Sequence, residues 1–133
     1  MSITYSKSVL LIDDDPADRK LFSRLLRRAG FDVIEALNAE GAMATIVAGN
    51  VGCIVTDQVM PVSGAELARN AQGARADIGV VFISGGAPKP DLPENAVFVS
   101  KDDRDTLVSA VKHCMERWKD AHGIASILKR RTT

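Results

Sequence analysis

Residues 9–16 read VLLIDDDP, an apolar run that ends abruptly in three aspartates and a proline. Four consecutive apolar residues of this kind are typical of a strand that is buried on both faces of a parallel sheet. Beyond Pro16, apolar side chains recur at helical spacing as far as Ala29, and Gly30 can end that helix. The segment therefore predicts a buried strand followed by an amphipathic helix.

The rest of the chain repeats this alternation of strand and helix. We predict further strands at residues 31–36, 53–55, 80–83 and 96–99, and further helices at 39–49, 64–76 and 107–118. Parallel strands need crossover connections, and alternating helices cover both faces of the sheet. The predicted fold class is therefore α/β, with an open, doubly wound sheet of five parallel strands.

The crossover between the fourth and fifth strands is unusual in its composition. Residues 85–95 contain Pro88, Pro90 and Pro93, together with two glycines at the start. Each proline removes a backbone donor and disfavours helical geometry in the residue before it. We expect the helix of this crossover to be shortened or replaced by a loop rich in proline and glycine.

Length, charge and cysteine content narrow the class of protein. The 133 residues suit one domain, and 17 Lys and Arg balance 17 Asp and Glu, which argues against a nucleic-acid or membrane-surface binder. No apolar run has the length of a membrane helix and the N-terminus lacks a cleavable signal pattern, so we expect a cytoplasmic protein. Cys53 and Cys114 have no metal-ligand spacing, and we expect buried free thiols.

Polar side chains follow the predicted strands at the points where they end. Asp13 and Asp14 follow the first strand, Asp57 the third, Ser84 the fourth and Lys101 the fifth. The carboxyl ends of parallel strands meet at one edge of the sheet, and carboxylates gathered there repel one another unless a cation such as Mg²⁺ neutralises them. An ammonium and a hydroxyl beside the metal would suit the remaining oxygens of a phosphoryl group.

Four motifs in this order resemble the CheY-like receiver domain of two-component response regulators. They are VLLIDDDP at 9–16, VTDQVMP at 55–61 with Gly64, VFISG at 81–85 and FVSK at 98–101. The resemblance covers residues 8 to about 118. It implies a flavodoxin-like sheet of strand order 2-1-3-4-5. It also implies a receiver domain at residues 1–118, followed by an extension at 119–133 and no output domain.

The resemblance implies a role for each candidate residue. Asp57 would accept the phosphoryl group from a histidine kinase or a phosphotransfer protein. Asp14 would bind Mg²⁺ directly, Asp13 more weakly or through water, and the backbone carbonyl of Gln58 would supply a further oxygen. Lys101 would contact the phosphoryl oxygens. Ser84 and Phe98 would move in response, which would change the surface that a downstream protein effector reads. The protein would then modify itself without turning over an external substrate.

Several alternatives stay open at this point. The acidic run also suits a helix start, and we assign Asp15 to that role. An aromatic residue in a short strand, such as Phe98, suits a core position as well as a switch position. A small Mg²⁺-dependent phosphotransferase or phosphatase is the alternative function, although Val59 stands where such enzymes usually place a second acid. Residues 119–133 suit either a short docking or dimerising helix or a frayed tail, so we expect a monomer or weak dimer.

Three positions depart from the family pattern. Asp102 follows the lysine where the family usually has a proline. Val59 and Gly86 offer no side-chain group that could position an attacking water by hydrogen bonding. Val59 and Gly86 therefore predict slow hydrolysis of the phosphoryl group, whereas Asp102 predicts a freer local backbone and adds a negative charge.

Overall fold

The computed structural model describes residues 7–58, 64–74, 78–87 and 96–122, with side chains described as far as Glu116. Strands and helices alternate from residue 8 to residue 84 as predicted, and the last strand is followed by the final helix. Their bounds are β1 (Ser8–Ile12), α1 (Pro16–Arg28), β2 (Val33–Ala36), α2 (Ala39–Val47), β3 (Val51–Asp57), α3 (Gly64–Ala74), β4 (Gly79–Ser84), β5 (Val97–Ser100) and α4 (Arg104–His122).

The five strands form one parallel sheet in the order β2-β1-β3-β4-β5, which confirms the predicted fold class and strand order. The register aligns Ile12 with Thr56, Asp57 with Ile83, and Ser84 with Ser100. Because all strands run in the same direction, this register brings the residues that end β1, β3, β4 and β5 to one edge. The site is built on that edge.

Two apolar clusters cover the two faces of the sheet. Successive side chains of a strand point to opposite faces, and β1 accordingly places Val9 and Leu11 in one cluster and Leu10 and Ile12 in the other. The first cluster is completed by α1 and α4, the second by α2 and α3. All five residues of β1 and all seven of β3 are buried, which explains the uninterrupted apolar runs at residues 9–12 and 53–55.

The first two helices begin and end at the capping residues that the sequence predicted. Asp15 caps α1 by accepting the N–H groups of Ala17 and Asp18, as its assignment to the helix start predicted. Asn38 caps α2 by accepting the N–H of Gly41 at 2.9 Å. Gly30 and Gly49 follow these helices with φ angles of 100° and 92°, a conformation that favours glycine.

The predictions for the crossover between β4 and β5 and for the C-terminal extension concern residues at or outside the limits of the described ranges. The Pro-rich residues 88–95 lie outside the described residues, so the predicted loss of a crossover helix stays a prediction, although Gly85, Gly86 and Ala87 are not helical. The apolar face of the extension, residues 124–128, also lies outside them. The final helix runs without a break to His122, past residue 118, because neither glycine nor proline interrupts it before Gly123.

Both cysteines are buried free thiols, as expected. Cys53 lies in β3 and Cys114 in α4, within the same apolar cluster. A hydrogen bond with Cys114 and burial both raise the pKa of Cys53. No helix in the described part of the chain is both long and apolar enough to cross a membrane.

Candidate functional site

Three carboxylates meet at the sheet edge formed by β1 and β3. Asp13 directly follows β1, Asp14 is the next residue, and Asp57 is the last residue of β3. Each offers an oxygen atom that lies within 4.8 Å of an oxygen of the other two. The three carboxylates that the sequence placed at strand ends are therefore close in space.

Burial differs sharply among these carboxylates. Asp13 is 0 % exposed and Asp57 is 9 % exposed, whereas Asp14 faces solvent. Burial raises the pKa of Asp13, and this effect outweighs the hydrogen bonds from the Asp15 N–H and from Lys101. A charge with little access to water needs a compensating cation, so the buried end of the cluster favours binding of positive charge.

Lys101 supplies one such positive charge. Its Nζ atom donates to Asp18 Oδ2 at 2.8 Å, to Asp57 Oδ2 at 2.9 Å and to Asp13 Oδ2 at 3.1 Å. Burial lowers the pKa of Lys101, but the hydrogen bonds to Asp18, Asp57 and Asp13 raise it by more, so the net shift is upward. The ammonium therefore stays charged at neutral pH and points at the carboxylate that we predicted to accept phosphate.

The sequence did not identify Asp18 or Arg19 as site residues. Arg19 Nη1 donates to the backbone carbonyl of Asp13 at 2.8 Å, and Arg19 Nε lies 3.6 Å from Glu35 Oε1. One feature of the sequence could have identified them: α1 begins at the sheet edge, so polar residues of its first turns can reach the strand ends. Which of them do so depends on how the helix is rotated about its axis.

Ser84, at the end of β4, is held by a second group of contacts. Its Oγ atom accepts hydrogen bonds from Gln58 Nε2 and from the Gly86 N–H, each at 3.1 Å. Gln58 Nε2 also donates to the carbonyl of Ala87 at 2.7 Å. The Lys101 N–H donates to the carbonyl of Ser84 at 3.0 Å, which joins this group to the carboxylate cluster.

Gln58 thus takes part in the site through its side-chain amide, a contact that the sequence did not reveal. The predicted contribution was its backbone carbonyl, as an oxygen ligand for Mg²⁺. That carbonyl accepts the N–H of Gly64 at 3.4 Å, at the start of α3. A carbonyl oxygen has two lone pairs and this hydrogen bond uses one, so the other can still bind a metal ion. The role of the carbonyl as a metal ligand stays a prediction.

Taken together, the edge offers oxygen ligands suited to a hard cation, one fixed ammonium and one hydroxyl. The sequence profile of the response regulator receiver domain matches residues 9–112. The chain belongs to this receiver domain family. It is homologous to the receivers of phosphorelay response regulators in two-component signalling.

Individual relatives agree with the family match. The chain is 34 % identical over 101 residues to the response regulator receiver protein CpdR of Brucella abortus, covering 71 % of this chain and 84 % of CpdR. It spans only 14 % of the length of a sensor kinase/phosphatase that it also resembles. These matches do not favour the alternative of a phosphotransferase or phosphatase.

Two solved structures show the likeness of the fold. The receiver domain of the hybrid histidine kinase CckA superposes with a TM-score of 0.70 at 30 % identity, over 81 % of this chain and 98 % of that one. The response regulator TrrA of Thermotoga maritima, solved in complex with Mg²⁺ and BeF, superposes with a TM-score of 0.72 at 25 % identity, over the same shares of the two chains.

One departure from the receiver pattern has a visible structural consequence. Asp102 replaces the usual proline, and its N–H donates to Ser100 Oγ at 3.2 Å, a bond that proline could not make. The turn after β5 is therefore held by a hydrogen bond rather than by a proline ring. Lys101 precedes this turn and keeps its contacts to the carboxylates.

Phe98 of this receiver is half-buried. It pairs in register with Phe82 of β4 and packs against the small cluster of Ala68, Val80 and Phe82. This position contributes to the core and still leaves part of the ring accessible. Both interpretations of Phe98, as a core residue and as a switch residue, are compatible with it.

Proposed function

We propose that the chain is a phosphoacceptor receiver of a histidine-kinase phosphorelay, phosphorylated on Asp57 in the presence of Mg²⁺. The observation that carries the proposal is the arrangement at Asp57. Its Oδ2 atom lies 2.9 Å from Lys101 Nζ, and oxygens of Asp13 and Asp14 lie within 4.8 Å of an Asp57 oxygen. A nucleophilic carboxylate, a fixed cation and two further carboxylates are the groups that Mg²⁺-dependent phosphoryl transfer requires.

The residues of the edge fit a magnesium ion. Mg²⁺ prefers oxygen ligands and is usually bound by one or two carboxylates, with waters in the remaining positions. Asp13, Asp14 and Asp57 would hold it, with the Gln58 carbonyl as the further ligand. When bound, Mg²⁺ supplies positive charge that offsets the repulsion between the carboxylates and an incoming phosphoryl group. The complex of the related TrrA with Mg²⁺ and BeF supports this assignment.

The reaction on Asp57 is a displacement at phosphorus. A carboxylate oxygen of Asp57 forms a bond to phosphorus while the phosphorus–nitrogen bond of a phosphohistidine breaks. The electron pair of that bond stays on the imidazole nitrogen, which takes a proton from solvent. Lys101 holds its ammonium beside Asp57 and stabilises the negative charge on the transferred oxygens.

The output of the reaction would be a changed surface. Ser84 lies at the end of the neighbouring strand and carries the hydroxyl that would donate to a phosphoryl oxygen. Phe98 lies in β5, in register with Phe82 of that strand. Movement of Ser84 and Phe98 would alter the face that a downstream protein effector reads. In this proposal the receiver is cytoplasmic, acts as a monomer or weak dimer, modifies only itself and binds no nucleic acid. Residues 119–133 are a C-terminal extension.

The test is phosphorylation of the purified chain by acetyl phosphate, followed by intact-mass spectrometry. We expect a single phosphoryl group with Mg²⁺ present, none with excess chelator, and none for Asp57→Asn. Asp32→Asn is the matched control, because Asp32 is exposed and precedes β2, at the opposite edge of the sheet. It should be phosphorylated like the wild type. Full modification of Asp57→Asn would contradict the choice of acceptor, and full modification in chelator would contradict the role of the metal.

A further inference from the structure

The side chain of Gln58 bridges β3 to the end of β4 and the residues that follow. Gln58 is 3 % exposed, and its Nε2 atom donates both to Ser84 Oγ, at 3.1 Å, and to the carbonyl of Ala87, at 2.7 Å. An amide nitrogen has two hydrogens, so both are used in these contacts. The buried amide of Gln58, the residue after Asp57, is therefore bonded both to the Ser84 hydroxyl and to the beginning of the β4–β5 crossover.

The Ser84 hydroxyl is correspondingly constrained. Its oxygen has two lone pairs, and they accept hydrogen bonds from Gln58 Nε2 and from the Gly86 N–H. Ser84 is 4 % exposed, so water replaces neither donor easily. If Ser84 moved to donate to a phosphoryl group on Asp57, it would leave both donors. The buried Gln58 amide would lose one of its acceptors at the same time, which costs free energy.

We propose that Gln58 is a positioning residue that holds Ser84 in its resting orientation and couples residues 85–87 to the state of Asp57. The inference rests on the proposed function, since it concerns the response to a phosphoryl group on Asp57. The amide stabilises the resting state through Ser84. When Ser84 turns toward Asp57, the amide is released, and its second contact transmits that release to Ala87 at the start of the crossover.

The test measures the affinity for beryllofluoride, a phosphoryl mimic, at saturating Mg²⁺ so that differences in cation binding do not enter. Gln58→Met keeps the length of the side chain and removes both donors. We expect it to bind beryllofluoride about two- to tenfold more tightly than the wild type, the factor that one net hydrogen bond contributes. The same substitution in a Ser84→Ala background should leave the affinity unchanged, because the acceptor is already absent.

Gln72→Met is the matched control, because Gln72 is a half-buried glutamine on α3, about two turns beyond Gly64. It should bind beryllofluoride like the wild type. Equal or weaker binding by Gln58→Met than by the wild type would overturn the inference alone. An equal gain in the Ser84→Ala background would also overturn it. If the wild type bound no beryllofluoride, the proposed function would fail and the inference with it.

A measurement on the wild type keeps the inference testable should Gln58→Met not fold. In nitrogen–proton correlation spectra, the side-chain amide of Gln58 and the backbone amide of Gly86 should shift when beryllofluoride binds. The same two signals should shift in metal-free Ser84→Ala. The Gly41 amide, which donates to Asn38 Oδ1 at 2.9 Å on α2, is the control and should not move. Unchanged Gln58 and Gly86 signals in both experiments would overturn the inference.

Discussion

Lys101 Nζ donates a hydrogen bond to Asp18 Oδ2 at 2.8 Å, which joins the residue after β5 to the first turn of α1. Asp18 thus holds the same ammonium that lies 2.9 Å from the acceptor Asp57. It adds a negative charge beside the position that an incoming phosphoryl group would occupy. This relationship leads to a prediction about the rate of phosphorylation.

Asp18→Asn should accelerate phosphorylation by acetyl phosphate, because it removes a charge that repels the incoming anion. The gain should shrink at about 1 M KCl, where the Debye length is roughly 3 Å. The loss of unfolding free energy should be about 1 kcal/mol or less, since the Asp18 side chain is 34 % exposed and Lys101 keeps two other carboxylates. Asp32→Asn, with the same charge change at the opposite edge, should not alter the rate. Slower phosphorylation of Asp18→Asn than of the wild type, or a gain in rate that does not depend on salt, would contradict this prediction.

Lys101→Met should destabilise the metal-free protein and increase its stabilisation by Mg²⁺. The variant leaves the buried Asp13 and Asp57 without their ammonium, at a cost of about 1–3 kcal/mol for these partly buried pairs. Mg²⁺ should then raise the melting temperature by more than it does for the wild type, because the cation replaces the missing charge. Because the pKa of Lys101 is raised, its contribution to the unfolding free energy is complete below pH 10.5. This contribution is lost as the pH rises through the folded-state pKa. A smaller Mg²⁺ effect in the variant would refute the assignment.

Gly64→Ala should destabilise the protein by about 1–3 kcal/mol and impair phosphorylation. A Cβ atom at Gly64 would collide with the carbonyl of Asp57 and lie 3.0 Å from the Cα of Gln58, so α3 would be pushed away from the acceptor. Gly73→Ala is the matched control on the same helix, where a Cβ meets no atom within 4 Å in the part of the chain that the structure describes. It should raise the unfolding free energy by up to about 1 kcal/mol through helix propensity. Equal stability of the two variants in urea titrations would contradict the close approach at Gly64.

The phosphoryl group on Asp57 should persist well beyond seconds in Mg²⁺ buffer. Gly86 lies two residues after Ser84 and has no side chain that could position water. Gly86→Gln should shorten the lifetime severalfold, because among the described residues a Cβ there meets only Ser84 Oγ, at 3.9 Å, which leaves room for an amide. Gly85→Gln is the control and should leave the lifetime unchanged; a Cβ at Gly85 has no atom of the described residues within 4 Å. Loss of radioactive label within seconds from the wild type would reject the prediction.

Stability should fall in acid partly through Asp103, which caps the start of α4. Asp103 Oδ2 accepts the Thr106 hydroxyl at 2.6 Å and Oδ1 accepts the Thr106 N–H, and these bonds lower the pKa of Asp103 from its ordinary 3.8. A carboxylate whose pKa is lowered by folding stabilises the protein at pH values above its unfolded-state pKa. This stabilisation is lost as the pH falls through its folded-state pKa. The difference in denaturation midpoint between wild type and Asp103→Asn should therefore narrow below about pH 4. A difference that widens in acid would contradict the cap.

The sequence by itself determined the elements and most of the site. Strands β1, β3 and β4 could be predicted because strands buried on both faces must be continuously apolar, as the run from Val9 to Ile12 is. Helix starts could be predicted from Asp15 and Asn38, because a cap acts on N–H groups two or three residues away. Asp13, Asp57, Ser84 and Lys101 could be brought together because each ends or directly follows a strand, and parallel strands end at one edge.

Only the tertiary structure decided which other side chains reach that edge. Asp18 is separated from Lys101 by 83 positions, and their contact depends on how α1 is rotated and where it packs on the sheet. The amide of Gln58 reaches Ser84 and Ala87, 26 and 29 positions away, because β3 and β4 pair in register and because the amide's rotamer directs Nε2 across the strand ends. Local sequence dictates propensity and caps over a few residues. The direction of a side chain across the sheet edge is set by packing between distant segments, and no local pattern encodes it.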